Sequence, residues 1–273
     1  MAVVPPVTVL ISCKNERSNV GPCLDAARGL GNEVLVADSG STDGTLEYLR
    51  RRGDCRVIER EYVTAGDFKN WAIPQASHSW ILVVDADERV TPALAAEIRE
   101  LFRKGAQYDG YWVNRSNHLF GHRLRYTDWG RDRVLRLFRR DVCYYAGPSD
   151  HGEVVVTTNK IGRLRAPLDH LTTWSWDSYM KKFDRYTRLQ AEEWHANGRK
   201  PSYVRMFFNP PLRFLRDFVL YRGFLDGAPG LQISLISAFY SFMKQARLWE
   251  LHHGLEQSDI EGAAMEIAER KAA

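Results

Sequence analysis

At 273 residues the chain has room for one large domain, or one domain with an appendage. Its 44% hydrophobic and 26% charged residues exclude a disordered or collagen-like protein, and a net charge of +4 is too small to argue for nucleic acid. Cys13, Cys23, Cys55 and Cys143 form neither a C-x-x-C pair nor a disulfide framework, so reduced thiols in the cytoplasm are expected. The N-terminal stretch lacks a signal-peptide pattern, and no apolar run reaches the roughly 18 residues of a membrane span.

Residues 7–90 alternate apolar runs with helical stretches. The pattern predicts strands at Val7–Ser12, Glu33–Ala37, Arg56–Glu59 and Ser79–Val84. Helices are expected at Asn19–Arg28, Thr45–Arg52, Asp67–Ala76 and Pro92–Arg103. This order implies an α/β fold with a mostly parallel sheet flanked by helices, whose ligands bind beyond the carboxyl ends of the strands. A strand at Tyr111–Arg115 opens an arginine-rich stretch with little helical period. From Trp174 the chain reads as helical, with one helix ending at Asn197-Gly198 and a second block, Leu212–Leu251, broken by Gly227, Pro229 and Gly230.

Carboxylates gather where that topology puts ligands. Glu16 follows the first strand, Asp38 the second, and Asp85 and Asp87 the strand that ends Ile81-Leu82-Val83-Val84. Like charge at one sheet edge is costly unless a cation or donors are present. A hard divalent cation takes such oxygen ligands and shares them with substrate phosphates. The plain alternative is a strand end with solvated acids, Asp87 and Glu88, ahead of a helix. No G-x-x-x-x-G-K-[ST] and no G-x-G-x-x-G is present.

Cys13-Lys14-Asn15-Glu16, Ala37-Asp38-Ser39-Gly40-Ser41-Thr42-Asp43-Gly44-Thr45, Lys69-Asn70-Trp71-Ala72 and Val84-Asp85-Ala86-Asp87-Glu88 together resemble the motif series of family 2 glycosyltransferases. These are inverting enzymes of the GT-A fold that use nucleotide sugars. The subgroup most resembled is the lipopolysaccharide inner-core β-glucosyltransferases, through Phe138-Arg139-Arg140, Ala146-Gly147-Pro148, Pro167-Leu168-Asp169-His170, Tyr186–Ala191 and Gly223-Phe224-Leu225-Asp226-Gly227. The resemblance implies a catalytic domain over residues 1–172, with a nucleotide-sugar half (1–90) and an acceptor half (91–172). A helical C-terminal region would follow over 173–273. It further implies a UDP-sugar donor held by Glu16, Asp38, Lys69, Asn70 and Asp85, and Mn²⁺ or Mg²⁺ held by Asp87. His170 is either a further metal ligand or a structural histidine.

Inversion by direct displacement needs a carboxylate to take the acceptor hydroxyl's proton. The family places this base after a Gly-Pro turn. Here Gly147-Pro148-Ser149-Asp150-His151-Gly152-Glu153 offers Glu153 first and Asp150 second. Between Arg115 and Arg140 stand eight arginines, and guanidinium forks suit phosphates and carboxylates. Arg131, Arg133 and Arg136 are therefore expected to bind an acceptor that is a phosphorylated or acidic glycan or glycolipid, such as the lipopolysaccharide core. The aromatic, basic tail from Met206 to Arg247 suits the inner face of a membrane, though packing on the catalytic domain or a second subunit fits it equally. Two other readings compete. A nucleotidyltransferase needs a glycine-rich loop after the first strand, which is missing. An inactive sugar-nucleotide fold acting as a basic lipid- or RNA-binding protein has Asp38, Asp85 and Asp87 against it.

Overall fold

The computed structural model describes residues 6–147 and 153–254. Two compact units divide the chain: Met1–Arg123 with Trp129–Thr172, and Leu124–Asp128 with Thr173–Ala273.

The first unit runs β1 (Val7–Cys13), α1 (Val20–Ala27), β2 (Glu33–Asp38), α2 (Thr45–Arg52), β3 (Arg56–Glu59), α3 (Ala65–Ala72), β4 (Trp80–Asp85), β5 (Glu88–Val90) and α4 (Pro92–Lys104). It continues through β6 (Gly110–Leu119), β7 (His122–Arg123), β8 (Arg133–Arg139), β9 (Cys143–Ala146), β10 (Glu153–Val156) and β11 (Ile161–Thr173). The main sheet has the order β3-β2-β1-β4-β8-β6-β11-β5, with β7 on β6, while β9 and β10 form a separate hairpin.

β1 lies between β2 and β4, parallel to both, and every residue in it except Ser12 is buried. A central strand covered on both sides needs an unbroken apolar run, because successive side chains point to opposite faces. Val9 and Ile11 join Val84, Leu94 and Ile98 in one core, and Leu10 joins Leu35, Phe68, Ile81 and Phe138 in the other. The boundaries of α2 and β3 coincide with those expected. α3 begins two residues before its expected start, because Thr64 caps it by accepting from Asp67 N at 3.2 Å. Its last part is a 3₁₀ turn, Ile73–Gln75, where Pro74 has no N–H to continue the α-helical ladder.

The parallel character stops at β4. β8 pairs antiparallel with β4, β6 with β8, and β11 with β5, so the whole sheet is mixed. Among the described residues between 110 and 170 no α-helix connects the strands, only a 3₁₀ turn at Trp129–Arg131, and antiparallel neighbours need only short links. The β11–β5 pairing sets His170 opposite Glu88.

The second unit contains α5 (Trp176–Ala196), α6 (Tyr203–Phe214), a π-helical stretch (Leu215–Leu220), a 3₁₀ turn (Gly223–Asp226) and α7 (Gly227–His253). Gly227, Pro229 and Gly230 open α7 instead of breaking a helix. Proline is tolerated in a first turn, and a Cβ on Gly230 would stand 1.9 Å from Gly223 O, so the close approach requires glycine. Leu124–Asp128 belongs to this unit through Asp226, whose carboxylate accepts from Arg125 N and from Tyr126 N at 2.9 Å. Buried Asp217 pairs with Arg213 at 2.8 Å and Arg216 at 2.9 Å. Among the described residues no helix is long and apolar enough to cross a membrane.

Candidate active site

The carboxyl ends of β1 and β2 carry two loops laced by side chains. Asn15 adopts a left-handed conformation (φ 55°), and its Oδ1 accepts from Thr42 N at 2.7 Å. In return, Asn15 N donates to Ser41 Oγ at 2.8 Å, and Arg17 N donates to Asp43 Oδ2 at 3.1 Å. Asp38 is fully buried, with Oδ1 accepting from Gly40 N (2.9 Å) and Ser41 N (2.8 Å) and Oδ2 from Ser41 Oγ (2.6 Å). Its carboxylate thus folds the loop that follows it. Glu16 is half-buried, and its Oε2 accepts from Asn19 Nδ2 at 2.8 Å while Asn19 Oδ1 takes Arg89 at 3.1 Å.

Asp85 ends β4 inside a charged network. Ser12 Oγ donates to it at 3.0 Å, Lys69 Nζ lies 3.1 Å away, Arg115 3.6 Å away, and Arg136 pairs with it directly. Burial works to raise its pKa, but Arg136, then Lys69 and Arg115, overcome that and hold the carboxyl well below the usual range. Glu88 is fully buried, not a solvated acid before a helix. It accepts from Arg115 Nε at 2.8 Å, Arg136 at 2.9 Å and Asp85 N at 2.9 Å. Arg136, expected at the acceptor surface, is 4% exposed, with its guanidinium engaged by Asp85 and Glu88. Burial opposes its charge, yet those two carboxylates drive its pKa well above the ordinary value.

Asp87 and His170 meet because β11 runs along β5, and Leu171 N also donates to Asp87 O at 2.9 Å. Asp87 Oδ2 and His170 Nε2 are 3.6 Å apart. Asn117 fixes the imidazole: its Nδ2 donates to Trp129 O at 2.8 Å and Asp132 at 3.2 Å, which turns Oδ1 toward His170 Nδ1 at 2.6 Å. An amide oxygen only accepts, so Nδ1 carries the hydrogen. Nε2 then faces a carboxylate oxygen of Asp87. A nitrogen and an oxygen so arranged fit a divalent cation, with Asn117 as the outer partner that orients metal-bound histidines. Among the described residues no group of three or more His, Cys, Asp or Glu is disposed for metal. Two protein ligands, with the rest of the shell from phosphate and water, suit Mg²⁺-like sites.

Lys69 and Asn70 lie on α3. Lys69 joins Asp85, and Asn70 ties the helix to β9 by donating to Tyr145 O and accepting from Tyr145 N, both at 2.8 Å. Glu153 is exposed and opens β10, paired with Ala146 of β9. Asp150 lies outside the described residues. Arg131 and Arg133 are exposed. Sequence reasoning missed Glu88, Arg115 and Asn117 as parts of this constellation, since their partners lie on distant strands. The cysteines are free, and burial pushes the Cys23 and Cys143 thiols up to about 12, as befits inert structural residues.

The sequence model of Glycosyl transferase family 2 matches residues 8–153. The chain belongs to that family: it is a glycosyltransferase with the GT-A arrangement of a helix-flanked mixed sheet and a C-terminal helical region. It is 28% identical over 252 residues to the lipopolysaccharide core biosynthesis glycosyltransferase LpsC of Rhizobium meliloti (strain 1021), covering 90% of this chain and 93% of that one. An uncharacterized glycosyltransferase of Rickettsia bellii (strain RML369-C) is 28% identical over 260 residues, covering 90% and 86%. Among solved structures, glucosyl-3-phosphoglycerate synthase from Mycobacterium tuberculosis with Mn²⁺, UDP and glucosyl-3-phosphoglycerate aligns at a TM-score of 0.48 and 15% identity, over 72% of this chain and 82% of that one.

Proposed function

We propose that this glycosyltransferase moves a hexose from a UDP-sugar, with inversion, to an acidic glycan or glycolipid acceptor of the lipopolysaccharide-core type. The observation that carries the donor half is the Asp87–His170 pair at 3.6 Å, beside two laced loops at the carboxyl edge of the sheet. Glu16 and the loop folded by Asp38 receive the nucleoside, while Lys69 and Asp85 face the sugar. Mn²⁺ or Mg²⁺, when bound, supplies positive charge against the departing diphosphate.

The displacement is a single step. The acceptor hydroxyl oxygen forms a bond to the anomeric carbon as the bond from that carbon to the UDP oxygen breaks, and the hydroxyl proton passes to a carboxylate. Glu153 is that base in the first instance, on a hairpin that Asn70 ties to α3. UDP leaves with the electron pair. Lys69 adds fixed positive charge near the donor, which costs no reorganisation during the reaction.

The second unit supports peripheral attachment to the inner face of an anionic membrane. Its exposed apolar residues include Tyr203 (71%), Phe207 (73%), Leu212 (60%) and Leu220 (73%), with Arg205 and Arg222 exposed among them. Such a surface inserts rings into the headgroup region while guanidinium groups meet lipid phosphates. A direct test of the activity is Mn²⁺-dependent release of UDP from a panel of UDP-hexoses in the presence of deacylated lipopolysaccharide core. No release above the acceptor-free rate with any donor contradicts the reading.

A further inference from the structure

A cavity of about 440 Å³ opens in the first unit, lined by Arg115, Arg123, Arg131, Arg133, Arg163 and Arg165. Its volume falls within the range of small-molecule sites. Asp132 is the one carboxylate among its described lining residues, and it already contacts Arg115 at 3.4 Å and Asn117 at 3.2 Å. Strands β6, β7, β8 and β11 and the 3₁₀ turn Trp129–Arg131 contribute to its wall. β6 and β8 set Asn114 opposite Arg133. Asn114 then joins β6 to β11, its Nδ2 donating to Arg165 O at 3.0 Å and its Oδ1 accepting from Arg163 at 3.1 Å. Glu97 accepts from the backbone N–H groups of Arg165 (2.9 Å) and Ala166 (2.8 Å), which steadies the strand.

Arg123, Arg131, Arg133, Arg163 and Arg165 are all exposed. Gathering this much like charge in one concavity opposes folding and is relieved by an anion. Guanidinium forks match phosphate and carboxylate oxygens in pairs. The cavity also reaches the donor edge through one side chain: Arg115 lines it while its Nε holds Glu88 at 2.8 Å and its other end approaches Asp85 at 3.6 Å.

We propose that this cavity is an oxyanion-binding site that anchors the phosphate or carboxylate groups of the acceptor, with Arg163 and Arg165 of β11 completing a cradle begun by Arg131 and Arg133. The assignment to the acceptor rests on the glycosyltransfer reading above; the oxyanion site itself does not.

Calorimetry at low salt, in EDTA and with the full chain, tests it with inorganic pyrophosphate and with citrate as probes. Metal-free buffer keeps pyrophosphate from a metal-dependent donor site, and excess UDP in a parallel titration checks this. Each probe should bind, and rising salt should weaken it. The Arg163→Gln/Arg165→Gln double variant should bind each at least tenfold more weakly, with a melting temperature no lower than that of wild type and unchanged UDP affinity in Mn²⁺. Tighter pyrophosphate identifies a phosphorylated acceptor, tighter citrate a carboxylated one. Equal binding by variant and wild type, or no binding of either probe, overturns the site even when UDP binds. Arginine-dependent anion binding in a protein that ignores UDP leaves the site standing and sinks the glycosyltransfer reading instead.

Discussion

His170 Nε2 stands 3.6 Å from Asp87 Oδ2, and the ring is held in that pose by Asn117 Oδ1 on its other nitrogen at 2.6 Å. Asn117 is itself buried and oriented by Trp129 O and Asp132. The imidazole is therefore held in one direction, which is what a metal ligand requires. Removing an outer partner of this kind typically costs about 10–100-fold in metal affinity. Asn117→Ala should weaken Mn²⁺ binding, followed by electron paramagnetic resonance, by that factor. A variant that folds and binds Mn²⁺ like wild type removes Asn117 from the site.

The Asp85–Glu88–Arg115–Arg136 network has a predicted cost. Breaking a buried pair by deleting one partner destabilises by about 3–5 kcal/mol, because a charge is left uncompensated. Arg136→Met leaves the fully buried Glu88 with Arg115 as its remaining arginine and takes the direct arginine partner from Asp85, and should show a loss approaching that order in urea unfolding. The pH dependence follows from Asp85, whose folded pKa lies well below the ordinary value. Such a group contributes stability that is complete above its unfolded pKa of about 4 and is lost as pH falls toward the folded value. The stability gap between wild type and Asp85→Asn should accordingly close as pH drops below about 4. A gap that is constant from neutral to acid pH speaks against the ionised pair.

Much of this architecture was legible in the chain. β1 and β2 were readable because buried parallel strands are continuous apolar runs, α2 because Gly53 ends it, and Asp85-Ala86-Asp87 stood out because acids at the end of such a run need a physical reason. The fate of Glu88 was not readable. Its neutralising arginines stand 27 and 48 residues away on β6 and β8, and nothing local distinguishes it from a solvated acid. Arg136 was misread for the same reason: an arginine-rich segment looks uniform until antiparallel pairing sends one residue into the core. Gly227, Pro229 and Gly230 read as a helix break because the contact of Gly230 with Gly223 O is tertiary. The Asp87–His170 pairing depends on β11 returning beside β5, a topology that single-sequence periodicity does not specify.

Glu153→Gln tests the base. A carboxylate used only in proton abstraction contributes to the transition state and little to donor binding. Turnover should fall by roughly 10²–10⁴-fold while UDP-sugar affinity holds. Asp150→Asn is the paired control: loss in that variant alone moves the base to Asp150, and loss in neither moves it off this turn.

Membrane contact is read by flotation with phosphatidylglycerol vesicles. The protein should float at low salt and be released as salt screens the arginines. Phe207→Ser with Leu220→Ser, at two 73%-exposed positions, should abolish flotation without lowering the melting temperature. A wild-type protein that stays at the bottom of the gradient sinks the idea.

Calorimetric titration of UDP in Mn²⁺ and in EDTA tests the proposed metal-dependent nucleotide site on Asp87 and His170. UDP should bind in Mn²⁺ and lose at least tenfold in affinity in EDTA, and Asp87→Asn and His170→Ala should behave in Mn²⁺ as wild type does in EDTA. Equal UDP affinity with and without metal, or variants that keep the full Mn²⁺ enhancement, would contradict the account.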